Sequence, residues 1–347
     1  MKCISYTKNV IRFDVFDSRA KTWYNRSMQK TSTDRKMKRE NPFLFQGDLQ
    51  REGYFEGWYY KQVNAMRDQT ISVIFGVSVT SSDPHAFVQI LLTKPVRTYY
   101  FHYPIESFRQ VGDRFWIGNN QFSQRQVHLE LRQDGFECIG TLDYQSTTPL
   151  KRTRYMPSIM GPFAYLDHME CNHGVVSMNH RVNGRLSIND EFWLFSRDTG
   201  YIEKDWGKSF PKRYIWMQGN NFKTSEASVM ISVAHIPFLG LSFEGIIAEI
   251  SLPNRSIRIA TYLGARRESL VHTQNGFTLT LRQGKLRILI EAKMDQVGEL
   301  KSPKHGVMKD TIKEGLGGTI NVTLQRRNKT IWEDRSTHCG IEIEGYK

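Results

Sequence analysis

From Tyr54 onward, β-branched and aromatic residues gather in short hydrophobic runs, with polar turn residues between the runs. Such runs have the composition and spacing of β-strands. The pattern predicts strands at 54–63, 69–79, 86–93, 97–102, 114–117, 126–132 and 136–144. Arg67-Asp68, Ser82-Asp83-Pro84, Gly112-Asp113, Gly118-Asn119-Asn120 and Asp134-Gly135 fall between them as turns. About seven strands in roughly 90 residues is the spacing of an up-and-down barrel or a sandwich. A connection rich in Pro, Arg and Met follows over 145–162. A second series is predicted at 174–180, 185–188, 191–196, 214–219, 227–235, 242–252, 256–263, 276–283, 285–292, 319–325 and 329–334. One short helix is predicted near 307–315. The expected fold is all-β: two barrel-like units in tandem, 41–161 and 162–347, with few short helices.

Length and composition agree with this picture. A chain of 347 residues suits about two domains. The mean hydropathy is −0.50, and no run of 18 apolar residues predicts a transmembrane helix. The most apolar region, 228–252, is interrupted by His235, Pro237, Gly240, Glu244 and Glu249, which suits two strands and a turn. The formal net charge is +13, but residues 1–45 hold eleven Lys/Arg against four Asp/Glu. Half of the basic character thus belongs to a leader, and 1–40 is expected to be a basic, flexible extension that only Trp23 and Tyr24 could dock. It has no apolar signal-peptide core, and Asp14, Asp17 and Asp34 argue against a transit peptide. The modest charge of the remainder gives no reason to expect a nucleic-acid partner. Cys3, Cys138, Cys171 and Cys339 form no CxxC pair, so reduced thiols in a cytosolic setting are expected.

The chemistry concentrates in Gly200-Tyr201-Ile202-Glu203-Lys204-Asp205-Trp206-Gly207. In an extended segment Glu203 and Asp205 share a face, and Lys204 points the other way, towards solvent. Two carboxyls in one site push one of them towards the protonated form, which can then act as an acid. The aromatic neighbourhood (Tyr201, Trp206, Phe210, Tyr214, Trp216, Phe222) is unlike that of an ordinary exposed turn. No phosphate-binding loop, GxGxxG, GxSxG or HExxH motif is present. The run Asp167-His168-Met169-Glu170-Cys171-Asn172-His173 has metal-ligand chemistry, but on a strand its members split between two faces. No metal site is therefore expected there.

Three longer stretches resemble the tocopherol cyclase family in its bacterial branch. They are Gly53-Tyr54-Phe55-Glu56-Gly57-Trp58-Tyr59-Tyr60-Lys61, Met156-Pro157-Ser158-Ile159-Met160-Gly161-Pro162-Phe163 and Met169-Glu170-Cys171-Asn172-His173-Gly174-Val175-Val176-Ser177-Met178. The 200–207 string continues the resemblance through Ser209-Phe210-Pro211 and Trp216-Met217-Gln218-Gly219-Asn220-Asn221-Phe222. Leu300-Lys301-Ser302-Pro303, Gly306, Met308 and Cys339-Gly340-Ile341-Glu342 complete it over about 41–345.

The resemblance implies tandem lipocalin-like (calycin) barrels and a redox-neutral, cofactor-independent reaction. A prenylated hydroquinone closes onto the nearest double bond of its tail to give a chromanol, as in vitamin E biosynthesis. Protonating such an alkene calls for a carboxylic acid kept neutral in an apolar pocket, and the resulting cation calls for aromatic faces. On this reading Asp205 is the acid and Glu203 its partner. Glu170 and His173 orient or deprotonate the hydroquinone. Trp58, Tyr59, Trp206 and Trp216 stabilise the cation, and Gln218 and Asn221 bind the ring oxygens. Trp58 could equally plug a barrel end, Glu56 could pair with Lys61 or Lys204, and Glu170 with His173 could be a satisfied buried pair. The expected partner is a lipophilic small molecule, with peripheral membrane contact through the apolar turn 235–241. The alternative is a barrel that carries a lipid without transforming it.

Overall fold

The computed structural model describes residues 32–346 apart from 134, 167, 168 and 239. The hydrophobic runs from Tyr54 onward become two antiparallel sheets. The first holds β1 (Tyr54–Asn64), β2 (Gln69–Val79), β3 (His85–Leu92), β4 (Arg97–Pro104), β5 (Phe108–Val111), β6 (Arg114–Ile117), β7 (Asn120–Ser123), β8 (Gln126–Gln133), β9 (Phe136–Gln145), β10 (Cys171–Ile188) and β11 (Glu191–Gly207). Their order is β4-β3-β2-β1-β11-β10-β9-β8-β7-β6-β5. The two edge strands are joined by one 3-10 turn, Ile105–Ser107, so the sheet curls almost shut.

The second sheet holds β12 (Tyr214–Gly219), β13 (Ser228–Phe238), β14 (Leu241–Leu252), β15 (Arg255–Ala260), β16 (Ala265–Thr273), β17 (Gly276–Gln283), β18 (Leu286–Lys293), β19 (Val297–Lys304), β20 (Val307–Arg326) and β21 (Lys329–Glu344). Its order is β15-β14-β13-β12-β21-β20-β18-β17-β16, with β19 paired to β20. A turn at Thr261–Leu263 joins its edges in the same way. The architecture is the expected pair of tandem β-barrels.

Three expectations change. The sheets exchange between Gly207 and Tyr214, so residues 171–207, expected in the second unit, complete the first sheet. The reason is length. β10 and β11 are 18 and 17 residues long and pair with β9 and β1 respectively, which carries the chain back past the Pro-rich connection. Residues 307–315 are strand, not helix. Met308, Ile312, Glu314 and Leu316 are all on one face of β20, which is a period of two with one position skipped. Within the expected flexible leader, α1 (Ser32–Glu40) is helical, with Asp34 in its first turn and Lys38 and Arg39 in its last, matching the helix dipole. Trp23 and Tyr24 lie outside the described residues.

β1 has no solvent face. Tyr54, Trp58 and Tyr60 point into the first barrel with Phe75, Phe115 and Phe122. Tyr59 points the opposite way, into an apolar layer shared with Tyr201, Met178, Tyr214, Trp216 and Met230. Several polar contacts hold the two barrels at this layer. Gln89 both donates to and accepts from the backbone of Lys301. Ser78 donates to the Gly306 carbonyl at 2.7 Å, and the Gly306 amide donates to Lys208. Gly306 has φ +81°, and a Cβ there would sit 2.5 Å from the Gly53 carbonyl carbon, so no other residue fits this approach.

The polar pair inside the first barrel is Glu56 with Lys204, neither of which reaches solvent. Lys204 donates to Glu56 at 2.5 Å and to the Leu44 carbonyl at 2.6 Å. Glu56 also accepts from Tyr54 and from the amides of Gln46 and Gly47, which pins residues 44–47 across the barrel. Lys204 is thus buried rather than solvent-facing. Its ammonium lies 4.8 Å from the Trp58 ring and 4.7 Å from the Trp206 ring. Burial lowers its pKa to about 8, against the opposing pull of Glu56. Replacing Glu56 by Ala strands this charge and should cost roughly 3–5 kcal/mol. Lys204→Met leaves Glu56 with three donors and should cost clearly less. Chemical denaturation checks the order, and equal losses would show that the pair is not what holds this barrel.

Candidate functional site

Strand register assembles the site. In β1, β11 and β10, Gly57, Asp205 and His173 are direct cross-strand neighbours, and Tyr59, Glu203 and Val175 form the next such row. Neighbours of this kind on one face lie about 5 Å apart, close enough for their side chains to meet. On the second sheet, β12, β21 and β20 set Trp216, Glu342 and Glu314 in a row. The two faces enclose a cavity of about 170 Å³. Its apolar wall includes Phe87, Met160, Phe163, Met169, Phe243 and Met308. Met160 and Phe163 come from the Pro-rich connection, held to the second barrel by Arg258 on the Ser158 carbonyl and by Tyr262 on the Ile159 carbonyl. Gly161 there has φ +56°, and a Cβ would strike the Tyr262 ring at 2.4 Å.

His173 bridges the two carboxylates. Its Nδ1 lies 2.9 Å from Asp205 Oδ1, and its Nε2 lies 3.3 Å from Glu203 Oε2, an ion-pair distance off the line of a hydrogen bond. Burial opposes the charged imidazole, but Glu203 and Asp205 outweigh it and raise its pKa to about 10. Glu203 Oε2 also accepts from Tyr201 at 2.6 Å and from Trp216 Nε1 at 3.1 Å. From the opposite sheet, Glu314 accepts from Tyr59 at 2.5 Å and Glu342 from Tyr214 at 2.7 Å. Burial raises both of these glutamates, with repulsion from Glu203 added at Glu314 and from Glu314 at Glu342, while Lys61 pulls Glu314 the other way. Glu314 reaches about 7, and Glu342 is lifted well above the usual carboxylate range. Burial also raises Tyr59, Tyr201 and Tyr214, so all three remain neutral donors. His173, Glu203 and Asp205 offer ligand atoms within 4.8 Å of one another, as do Asp83, His85 and His102 elsewhere on the first barrel. In the cavity, Tyr201 and Trp216 donate to Glu203 Oε2 and His173 pairs with Asp205, while His173 Nε2 is buried with no hydrogen-bond partner.

A sequence model of tocopherol cyclase-like proteins matches residues 148–345. The chain belongs to the tocopherol cyclase-like family. The matched span includes β10, β11 and the whole second sheet, but not β1 with its Gly53–Lys61 motif. No curated protein matches the chain. Among solved structures, an AttH-type protein from Nitrosomonas europaea superposes with TM-score 0.55 at 13% identity, over 88% of this chain and 97% of that one. CghA with Sch210972 superposes with TM-score 0.54 at 10% identity, over 84% and 88%. Kievitone hydratase from Nectria haematococca gives 0.51 at 14%, over 83% and 88%. At these identities the likeness is one of fold.

Of the residues expected at a site of this family, Asp205, Glu203, His173, Tyr59 and Trp216 line the cavity together. Glu203 and Asp205 do share a face, but His173 stands between them in place of a shared proton. Five others are elsewhere. Trp58 and Trp206 are on the opposite face of their strands, where they flank the Lys204 ammonium. The Trp58 indole donates to the Phe43 carbonyl and stacks on Phe75 at 4.7 Å. Gln218 is fully buried behind Trp216, and Asn221 donates to Thr337. Glu170 lies in the bend before β10, where its carbonyl accepts the Lys208 amide, and it is not among the cavity's lining residues.

Glu314 and Glu342 were missed. Glu314 had a signal: it falls in step with Met308, Ile312 and Leu316 on a strand reading of this segment. Glu342 closes the Cys339-Gly340-Ile341-Glu342 motif, but only the pairing that puts it beside Trp216 gives it a place in the cavity.

The His173 array predicts a pH dependence of stability. A histidine with an ordinary pKa of 6.5 unfolded and about 10 folded contributes fully below about 6.5. That contribution is lost as pH rises through about 10. The stability difference between the protein and its His173→Gln variant should therefore shrink steadily across this window. A constant difference in urea titrations would refute the charged bridge.

Proposed function

We propose that the cavity catalyses acid-initiated addition of a hydroxyl across an isoprenoid double bond, closing a prenylated hydroquinone to a chromanol. The observation that supports it most is a set of ionisable groups embedded in an apolar cavity between the sheets. Water-poor walls of Phe and Met suit a prenyl chain. An alkene accepts a proton only from a strong or well-placed neutral acid, and the tertiary cation then needs nearby π faces and anions. Tyr59, Tyr214 and Trp216 supply the faces, and Glu203 and Asp205 the negative charge. Assignment of Asp205 as proton donor does not suit its contact with the His173 imidazolium, because the pair is complementary when Asp205 is ionised. We give Asp205 the receiving role: its carboxylate holds the substrate hydroxyl and takes that proton as the ring closes.

Incubation with prenylated hydroquinones of graded tail length, followed by mass-neutral conversion on chromatography, tests the reading. Asp205→Asn should lower turnover by roughly 10–100-fold, the worth of one hydrogen bond to a charged group. No turnover by the unaltered protein with any such substrate would favour lipid carriage instead.

The same reading calls for contact with a bilayer, where such substrates reside. Leu241 is 79% exposed at the turn joining β13 to β14, while Ile236 and Phe243 on the same hairpin line the cavity. Leu239 of this turn lies outside the described residues. Leu241→Asp should weaken co-sedimentation with liposomes by roughly 10–100-fold, in line with about 1.5–3 kcal/mol for a buried leucine. Unchanged co-sedimentation would remove this turn from the membrane contact.

A further inference from the structure

Proton donation in the reaction proposed above has no donor until a neutral acid is found in the cavity. The second sheet supplies one. Glu342 lines the cavity from β21 and is flanked in the ladder by Trp216 on one side and Glu314 on the other. Its Oε2 is fixed by the Tyr214 hydroxyl at 2.7 Å, which leaves Oε1 as the oxygen free to carry and present a proton. Glu314 is fully buried. One of its oxygens is held by Tyr59 at 2.5 Å, and the other, Oε2, is buried with no partner. A buried carboxylate oxygen left in this way is costly unless it serves a purpose.

We propose that Glu342 is the acid that delivers the proton to the alkene, with Glu314, its ladder neighbour, as the positioning residue. This rests on the cyclisation reading above. The Glu342 proton forms the new C–H bond with the alkene π pair, and the more substituted carbon becomes the cation. The substrate oxygen then forms the C–O bond, and its proton passes to Asp205. The protein loses one proton and gains one, and nothing is oxidised or reduced.

The groups facing Glu342 explain why the proton stays on it. Glu314 from β20, and Glu203 and Asp205 from β11, all oppose a second negative charge, on top of the cost of burial. The Tyr214 donor from β12 pulls the other way, and the positive groups nearby, His173 and Lys61, are engaged elsewhere, Lys61 with the His338 carbonyl.

Glu342→Gln keeps the shape and removes the proton. It should lower cyclisation by roughly 10²–10⁴-fold, the usual worth of a general acid. Glu314→Gln should behave differently. Near the acid end of the profile it stays active, and its alkaline limb moves down by on the order of one pH unit, because the like charge that kept Glu342 protonated is gone. Infrared difference spectroscopy near neutral pH gives a readout independent of turnover: the unaltered protein should show protonated-carboxyl C=O absorption that Glu342→Gln reduces, the remainder belonging to Glu314. Turnover above about a tenth in Glu342→Gln, below the smallest effect expected of a general acid, overturns the donor role alone. So does an infrared band unchanged by that substitution. An unaltered protein that turns over no prenylated hydroquinone brings down the cyclisation reading, and the donor role with it.

Discussion

Two strands of this protein are wet on neither side along their central stretch. β1 and the last third of β11 form one wall of the first barrel, and their outer faces are covered by the second sheet. Each residue there must answer to one of two interiors. Even-numbered positions serve the first barrel, where Trp58, Trp206, Lys204 and Glu56 interlock. Odd-numbered positions serve the layer between the barrels, where Tyr59, Glu203 and Asp205 meet residues of the other sheet. A one-residue slip in register would exchange the two sets and empty the cavity of its carboxylates.

The dense polar contacts across the layer follow from this. Tyr59 of the first sheet donates to Glu314 of the second, and Trp216 of the second donates to Glu203 of the first. Each sheet satisfies a buried carboxylate of the other. Such groups are expensive in a low dielectric when left without donors, and these two donors reach them only when the two sheets are docked. The chemistry of the cavity and the docking of the barrels are therefore one network.

The runs of β-branched and aromatic residues between turn signals made the strands legible: β1, β2 and β9 agree with the sequence to within about a residue. It could not say which strands pair. The sheet exchange after Gly207 depends on β10 and β11 running on to pair with β9 and β1, which no local pattern records. The same limit governs the site. Glu203, Asp205 and His173 were visible because two lie two positions apart on one strand and the third lies in a conspicuous run. Trp58 and Trp206 were misplaced because an aromatic beside a charged motif does not reveal which face it takes, and the cation they meet is the protein's own lysine. Glu342 stood in one of the resembling motifs, but its place in the cavity was hidden because its neighbours arrive from a strand more than a hundred positions away in the chain (Trp216) or across a sheet ladder (Glu314).

The cavity belongs to neither barrel. Its floor is the outside of one and its roof the outside of the other, with the loop carrying Met160 and Phe163 as a side wall. A ligand therefore displaces none of the side chains that fill either barrel. The width of the chamber is set by the tilt between two rigid bodies and by one connecting loop. Substitutions at the roof, or a change in that loop, can resize it for a longer or bulkier guest while both hydrogen-bonded ladders stay intact. Appetite for new substrates and resistance to unfolding are thus free to drift separately in this architecture.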